Sequence, residues 1–84
     1  MIFVLGLPEH GDPRAWFAFD PADLARKRLS MAAAGGISHT YWSETQAMAA
    51  FEGGDPRIAG KEMWRARRAL YEQLVALDVL ADDC

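Results

Sequence analysis

The six residues from Ile2 to Leu7 form a continuous apolar run, and Pro8 ends it. A run this short and this rich in strand-forming residues predicts a buried β-strand. Because side chains alternate across a strand, both faces of this strand are apolar and both need a cover. The helices of so short a chain are expected to cover only one face. The other face would then be an exposed apolar patch of the kind that marks an interface.

A second apolar run, residues 15–19, follows a segment dense in turn residues. Two strands joined by about seven loop residues predict an antiparallel hairpin. Asp20 and Pro21 then form a strong helix start, and the pair Gly35-Gly36 ends that helix. One face of this helix consists mainly of small residues, and we expect it to pack closely on the sheet. This small-residue face is formed by Ala22, Ala25, Leu29 and Ala32.

Alternating residues over 37–42 predict a third strand. Ser43 with Gln46 makes a capping box at the start of a short helix of about two turns. A long C-terminal helix is predicted over about 61–81. Its core-facing positions follow the three-four spacing of an amphipathic helix, and they are Met63, Ala66, Leu70, Leu74, Leu77 and Ala81.

The predicted order β-β-α-β-α-α places the chain in the α+β class. We expect residues 1–84 to form a single domain, with a small three-stranded mixed or antiparallel sheet and a long C-terminal helix. The uninterrupted hydrophobicity of the first strand suits a central position, which would make it antiparallel to both neighbours. An 84-residue chain buries only about 60–65% of its unfolded surface, so its interior is limited.

The charge and cysteine content narrow the function classes. A net charge of −3, from 12 acidic and 9 basic residues, argues against a general nucleic-acid binder. Cys84 is the only cysteine, so an internal disulfide is impossible, and no role is assigned to this residue. No signal or membrane segment is recognisable, and the expected compartment is the cytoplasm. Abundant alanine and arginine suit a bacterial or phage genome.

The sequence contains no recognisable catalytic constellation, and we predict neither a metal site nor a cofactor. His10 lies in a turn-rich segment, where solvation is the simpler interpretation. His39 and Ser38 are adjacent on a strand and therefore point to opposite faces. Ser43 is better explained as a helix cap than as a nucleophile. These residues give no support for an enzyme.

The C-terminal helix carries a second stripe beside its core-facing side, formed by Trp64, Arg68, Tyr71 and Val75. Tryptophan, arginine and tyrosine are the residue types enriched at interface hot spots. Two interpretations stay open: the stripe binds a partner, or it covers the edge of the protein's own core. Trp16 and Trp42 are secondary candidates for partner binding, because each points away from its aromatic neighbours.

The leading hypothesis is a non-enzymatic protein-interaction module, a small bacterial or phage regulator or inhibitor that binds a larger host protein or forms a homodimer. The alternative is a nucleic-acid-binding accessory factor that uses two basic clusters, Arg26 to Arg28 and Arg65 to Arg68. That alternative requires both clusters to converge on one side of the fold. A third hypothesis is a small enzyme subunit that completes a site at an oligomer interface.

Overall fold

The computed structural model describes residues 1–80 of the chain. Its elements are three strands, β1 (Ile2–Leu7), β2 (Arg14–Ala18) and β3 (Ile37–Tyr41), and three α-helices, α1 (Pro21–Ala33), α2 (Glu44–Phe51) and α3 (Trp64–Ala76). A 3-10 turn, Lys61–Met63, precedes α3. The α+β class and the predicted order of the elements are confirmed.

The sheet has the strand order β2-β1-β3, with β1 in the centre. β1 is antiparallel to both neighbours, so the whole sheet is antiparallel and contains no parallel pair. Phe3 lies opposite Phe17 on one side and Tyr41 on the other. The continuous apolar character of β1 therefore matches its central position, as expected.

Helices cover both faces of the sheet, so the expectation that one face stays uncovered is wrong. The face of Phe3 and Leu5 packs against α2, α3 and the loop residue Ile58 in the larger core cluster. The opposite face is covered by α1, where Leu24 packs with Val4 in a smaller cluster. One helix suffices there because the strands are only five or six residues long.

Helix α1 begins as predicted, but its small-residue face does not pack on the sheet. Asp20 caps the helix by accepting a hydrogen bond from the Asp23 backbone N–H at 2.8 Å. Asp23 in turn accepts from the Phe19 N–H at 3.1 Å, which fixes the rotation of the helix about its axis. At 100° per residue, Leu24 and Met31 then share the buried side. The predicted packing face is exposed instead: Ala22, Ala25, Leu29 and Ala32.

Helix α3 is shorter than the predicted span of 61–81, because it begins at Trp64 and ends at Ala76. Asp78 adopts a left-handed conformation with φ of 62°. The Val79 N–H donates to the Leu74 carbonyl at 2.9 Å and the Asp78 N–H donates to the Val75 carbonyl at 2.9 Å. These two bonds form a Schellman motif, which ends the helix without a glycine.

The core-facing side of α3 is predicted correctly as far as the structure reaches. Ala66, Leu70 and Leu74 are buried, and Met63 and Leu77 pack at the edge of the same cluster. The last core-facing position of that prediction, Ala81, lies outside the described residues, and so does Cys84.

Candidate partner-binding surface

Helix α3 carries Trp64, Arg68, Tyr71 and Val75 along one side, beside its buried side. The Trp64 side chain is 57% exposed. Arg68 is also exposed, whereas Tyr71 and Val75 are half-buried. The exposed residues Trp64 and Arg68 are available to a partner, whereas Tyr71 and Val75 cover the edge of the protein's own core. Each of the two interpretations of the stripe therefore fits half of its residues.

Phe51, the last residue of α2, completes this surface. Its ring stacks on Tyr71 with centroids 5.1 Å apart and an interplanar angle of 27°. The guanidinium of Arg67 donates from Nε to the Phe51 carbonyl oxygen at 3.0 Å, which ties the end of α2 to α3. Together these side chains line an open groove of ≈ 450 Å³, here called the α3 groove: Phe51, Trp64, Arg67, Arg68 and Tyr71.

Sequence reasoning missed Phe51 and Arg67 as groove residues. The available signal was a large aromatic residue at the end of a helix, directly before a turn. That signal alone does not say which neighbouring helix the ring will meet, because the angle between α2 and α3 is set by tertiary packing. Val75 was predicted as part of the same stripe, but it lies one turn beyond Tyr71 and does not line the groove.

The border of the α3 groove is rich in arginine. The Arg65 guanidinium lies 5.5 Å from the centre of the Trp64 ring, within reach of a cation–π interaction. Arg65 also pairs with Asp12 at 3.3 Å, and Arg68 pairs with Glu72 at 3.2 Å. All four of these charged side chains are more than half exposed, so the two ion pairs are weak and can exchange for other partners.

Trp16 and Trp42, the secondary candidates, are not brought to this groove. Trp42 follows β3 and is 57% exposed, while its backbone N–H donates to the Gln46 side chain at 2.8 Å. Trp42 precedes α2 and Phe51 ends it, so the two side chains lie at opposite ends of a helix about 12 Å long. Trp16 lies on the opposite face of the sheet and packs against the core cluster beneath α1.

The two basic clusters lie on opposite layers of the fold. Arg26 to Arg28 belong to α1, and Arg65 to Arg68 belong to α3; the two helices pack on different faces of the sheet and do not contact each other. Arg26 is moreover paired with Asp23 at 3.2 Å. The convergence that the nucleic-acid hypothesis requires is therefore not found within residues 1–80.

A polar cluster beside β3 was not anticipated. The Asp55 carboxylate accepts from the Arg57 backbone N–H at 2.9 Å and from its guanidinium Nη2 at 2.6 Å. These hydrogen bonds hold the pKa of Asp55 well below its usual range. The same guanidinium lies 5.7 Å from the centre of the Tyr41 ring, and its Nη1 is 3.1 Å from Nδ1 of His39.

This cluster attaches the loop after α2 to the sheet. Because arginine can only donate, His39 accepts through Nδ1 and carries its proton on Nε2. Burial, followed by the positive charge of Arg57, lowers the pKa of His39. Burial also raises the pKa of the Tyr41 phenol, whose hydroxyl has no hydrogen-bond partner in the described part of the chain. With the loop held in this way, Ile58 enters the core with no exposed surface.

Within residues 1–80, no group of three or more histidine, cysteine, aspartate or glutamate side chains is arranged to hold a metal ion. His10 is exposed in the loop between β1 and β2, and Ser43 accepts from the Gln46 N–H at 3.2 Å as a helix cap. Over the same residues, none of the helices has the length and apolar composition needed to cross a membrane.

Comparison with known proteins gives no further guide to function. No protein-family model, no curated protein and no solved structure matches this chain.

Proposed function

We propose that the chain is a non-enzymatic protein-interaction module that binds a larger protein through the α3 groove. The exposure of Trp64 supports this most directly, because a 57% exposed indole lies beside an aromatic groove and under an arginine side chain. Exposed tryptophan and arginine residues around a pocket are typical of interface hot spots. The stacked Phe51 and Tyr71 rings give the groove a firm floor, so little ordering is needed on binding.

The charge around the groove suggests what the partner presents. Arg65, Arg67 and Arg68 surround the aromatic rings, and of these only Arg65 and Arg68 pair with carboxylates inside residues 1–80. A matching partner segment would bring an apolar side chain into the groove and acidic side chains to its border. Charge complementarity of this kind steers association and favours one partner over others.

Self-association through this surface is less favourable than binding to a different protein. A two-fold contact through this surface would bring Arg65, Arg67 and Arg68 of both copies into one interface, where their like charges repel. The sheet face that was expected to drive dimer formation is covered by α1. We therefore propose a heteromeric partner, and light scattering at micromolar concentration is expected to give the monomer mass of 9.3 kDa.

In the cell, we propose that the chain acts as a small cytoplasmic regulator or inhibitor of bacterial or phage origin. This part of the proposal rests on the composition, which is rich in alanine and arginine, and on the presence of a single cysteine. The nucleic-acid alternative lacks a convergent basic surface, so we do not carry it further.

The test is affinity capture from a bacterial lysate with Trp64→Ala and Arg68→Ala variants beside the wild type. Both side chains are exposed, so these variants are expected to melt within a few degrees of the wild type. A hot-spot tryptophan contributes about 2 kcal/mol or more to binding, which corresponds to a loss of about 30-fold in affinity. Tyr71→Ala is a poorer test, because it also removes the ring that stacks on Phe51.

Arg28→Ala is the matched control, since Arg28 is an exposed arginine on α1 and its removal changes the net charge equally. A partner identified by mass spectrometry should be retained by the wild type and by Arg28→Ala and lost by the two α3 variants. Retention of that partner by all four proteins at equal affinity would show that the α3 groove is not the binding site.

A further inference from the structure

A second cavity lies on the other side of the sheet, between α1 and the loop that joins β1 to β2. Its volume is ≈ 720 Å³, within the range of about 300–1,000 Å³ that is typical of small-molecule sites. We call it the α1–β2 cleft, and its central residues are Trp16, Met31, His10, Asp12, Arg14 and Lys27. It shares no lining residue with the α3 groove, although its Asp12 pairs with Arg65 at the border of that groove.

The floor of the α1–β2 cleft is apolar and closely packed. Trp16 from β2 and Met31 from α1 meet over Gly6 in the central strand. A Cβ atom at Gly6 would lie 2.8 Å from Cζ3 and Cη2 of the Trp16 indole and would overlap Cε of Met31. The glycine therefore makes room for the indole to lie across the strand, although glycine weakens a strand interior.

The next support comes from Gly36, directly after α1. A Cβ atom there would lie 2.6 Å from the Met31 sulfur and 2.7 Å from the Leu7 carbonyl oxygen. The end of α1 can approach the end of β1 this closely only because no side chain intervenes. Met31 thus lies against two glycine positions, and the rigid Trp16 indole beside it shapes the floor of the cleft before any ligand arrives.

The rim of the cleft carries two cationic side chains, Arg14 and Lys27, and the charge of Lys27 is paired with Asp23. Arg14 makes no ion pair with any residue from 1 to 80, and its guanidinium is exposed beside the cleft. Lys27 donates to both oxygens of Asp23, at 2.9 and 3.0 Å, so its ammonium is positioned firmly and keeps one further donor. The single carboxylate of the lining, Asp12, pairs with Arg65.

From this arrangement we infer that the α1–β2 cleft binds a small amphiphilic anion with a flat aromatic or heteroaromatic body and one acidic group. The indole and the thioether contact the apolar body, because aromatic and sulfur groups pack well on flat rings. Arg14 binds the acidic group, and Lys27 of α1 lines the same cleft. An acidic group that is bidentate, such as a carboxylate, sulfonate or phosphate, suits the planar guanidinium.

The experiment uses two dyes that share an aromatic body and differ in charge. 1-Anilinonaphthalene-8-sulfonate carries a sulfonate, and N-phenyl-1-naphthylamine lacks it. The anionic dye is expected to bind the folded chain at a single site, at least about fivefold more tightly than the neutral dye, with a preference that falls as salt screens the charge. In nuclear magnetic resonance spectra, the indole N–H signal of Trp16 should shift and saturate, while the signals of Trp42 and Trp64 stay in place.

Arg14→Ala should reduce the affinity for the anionic dye to that for the neutral dye, and Arg28→Ala should leave both unchanged. Arg14 is exposed, so the variant is expected to fold, and a thermal melt checks this. The inference is overturned if the anionic dye does not bind below about 1 mM, if both dyes bind equally, or if the two arginine variants behave alike. A saturating shift at Trp64 instead of Trp16 would also overturn it and would place dye binding in the α3 groove.

Discussion

Replacing Gly6 by alanine should destabilise the fold, although alanine is ordinarily the better residue inside a strand. Gly6 is buried in β1, one residue before the strand ends, and is not among the glycines with positive φ, so its backbone conformation does not require glycine. The constraint is the close approach of the Trp16 indole, at 2.8 Å from the position of the new methyl group, together with the overlap with Met31. Met31 can move its terminal methyl group, whereas the rigid indole has to shift as a whole.

The magnitude follows from two opposing effects. Overpacking by one methyl group in a closely packed core costs about 1–3 kcal/mol. Replacing a glycine within a strand by alanine stabilises the folded state by about 0.5–1 kcal/mol, because less backbone entropy is lost on folding. The difference between these ranges is about 0–2.5 kcal/mol. Because the rigid indole cannot move aside as a flexible side chain can, we expect a net loss in the free energy of unfolding of about 1–2 kcal/mol within that range. For a domain of this size, each kcal/mol lowers the melting temperature by about 4–8 °C, so a fall of about 5–15 °C is expected.

The assay is thermal and denaturant unfolding of four proteins: the wild type, Gly6→Ala, Trp16→Phe and the double variant. Phenylalanine is shorter than tryptophan and leaves space where Cζ3 and Cη2 of the indole lay. Gly6→Ala should thus cost at least about 1 kcal/mol less in the Trp16→Phe background than in the wild type. If the Gly6→Ala variant has the melting temperature of the wild type, the indole does not require glycine at this position. The same conclusion follows if Gly6→Ala lowers the free energy of unfolding equally in the wild-type and Trp16→Phe backgrounds.

Two further predictions concern the loop after α2 and its attachment to β3. Ile58→Ala should cost about 2–5 kcal/mol and Ile58→Val about 0.5–1.5 kcal/mol in the free energy of unfolding, because Ile58 is fully buried; equal melts for both variants would contradict its place in the core. Because His39 has a lowered pKa in the folded chain, the unfolded chain binds the proton more tightly, and the free energy of unfolding should fall as the pH drops through 6.5. His39→Gln should reduce this pH dependence, as measured by denaturant unfolding across that pH range, and an unchanged dependence in this variant would contradict the role given to His39.

The features that the sequence predicted well are those with local causes. The β1 run is uninterrupted because a central strand with helices on both faces has no solvent side. Asp20 and Ser43 cap α1 and α2 by bonding to backbone N–H groups three residues ahead. The apolar spacing of α3 fixes which of its sides is buried. Each signal lies within a few residues of the feature that it predicts.

The features that the sequence did not predict have either a local cause without a distinctive sequence signal or a contact partner in another element. On α1 the sequence favoured the small-residue face, whereas the buried side carries Leu24 and Met31. The end of α3 uses Asp78 in a left-handed conformation, where glycine is the usual signal. The groove partner of Tyr71, Phe51, comes from another helix. Local propensity does not determine any of these arrangements.

Because helices pack on both faces of the sheet, the remaining exposed apolar residues have to be interpreted one by one. With both faces packed, they are no longer parts of one bare sheet surface, and each has its own surroundings. Phe19 lies edge-on against Phe17, at 5.2 Å between ring centres, and Leu29 lies among alanines on α1. Trp42 adjoins the cap of α2. Among the large apolar residues that are more than half exposed, Trp64 alone, within residues 1–80, lines a groove with stacked rings on one side and arginines on the other. That combination, rather than exposure by itself, is the reason to expect a partner at α3.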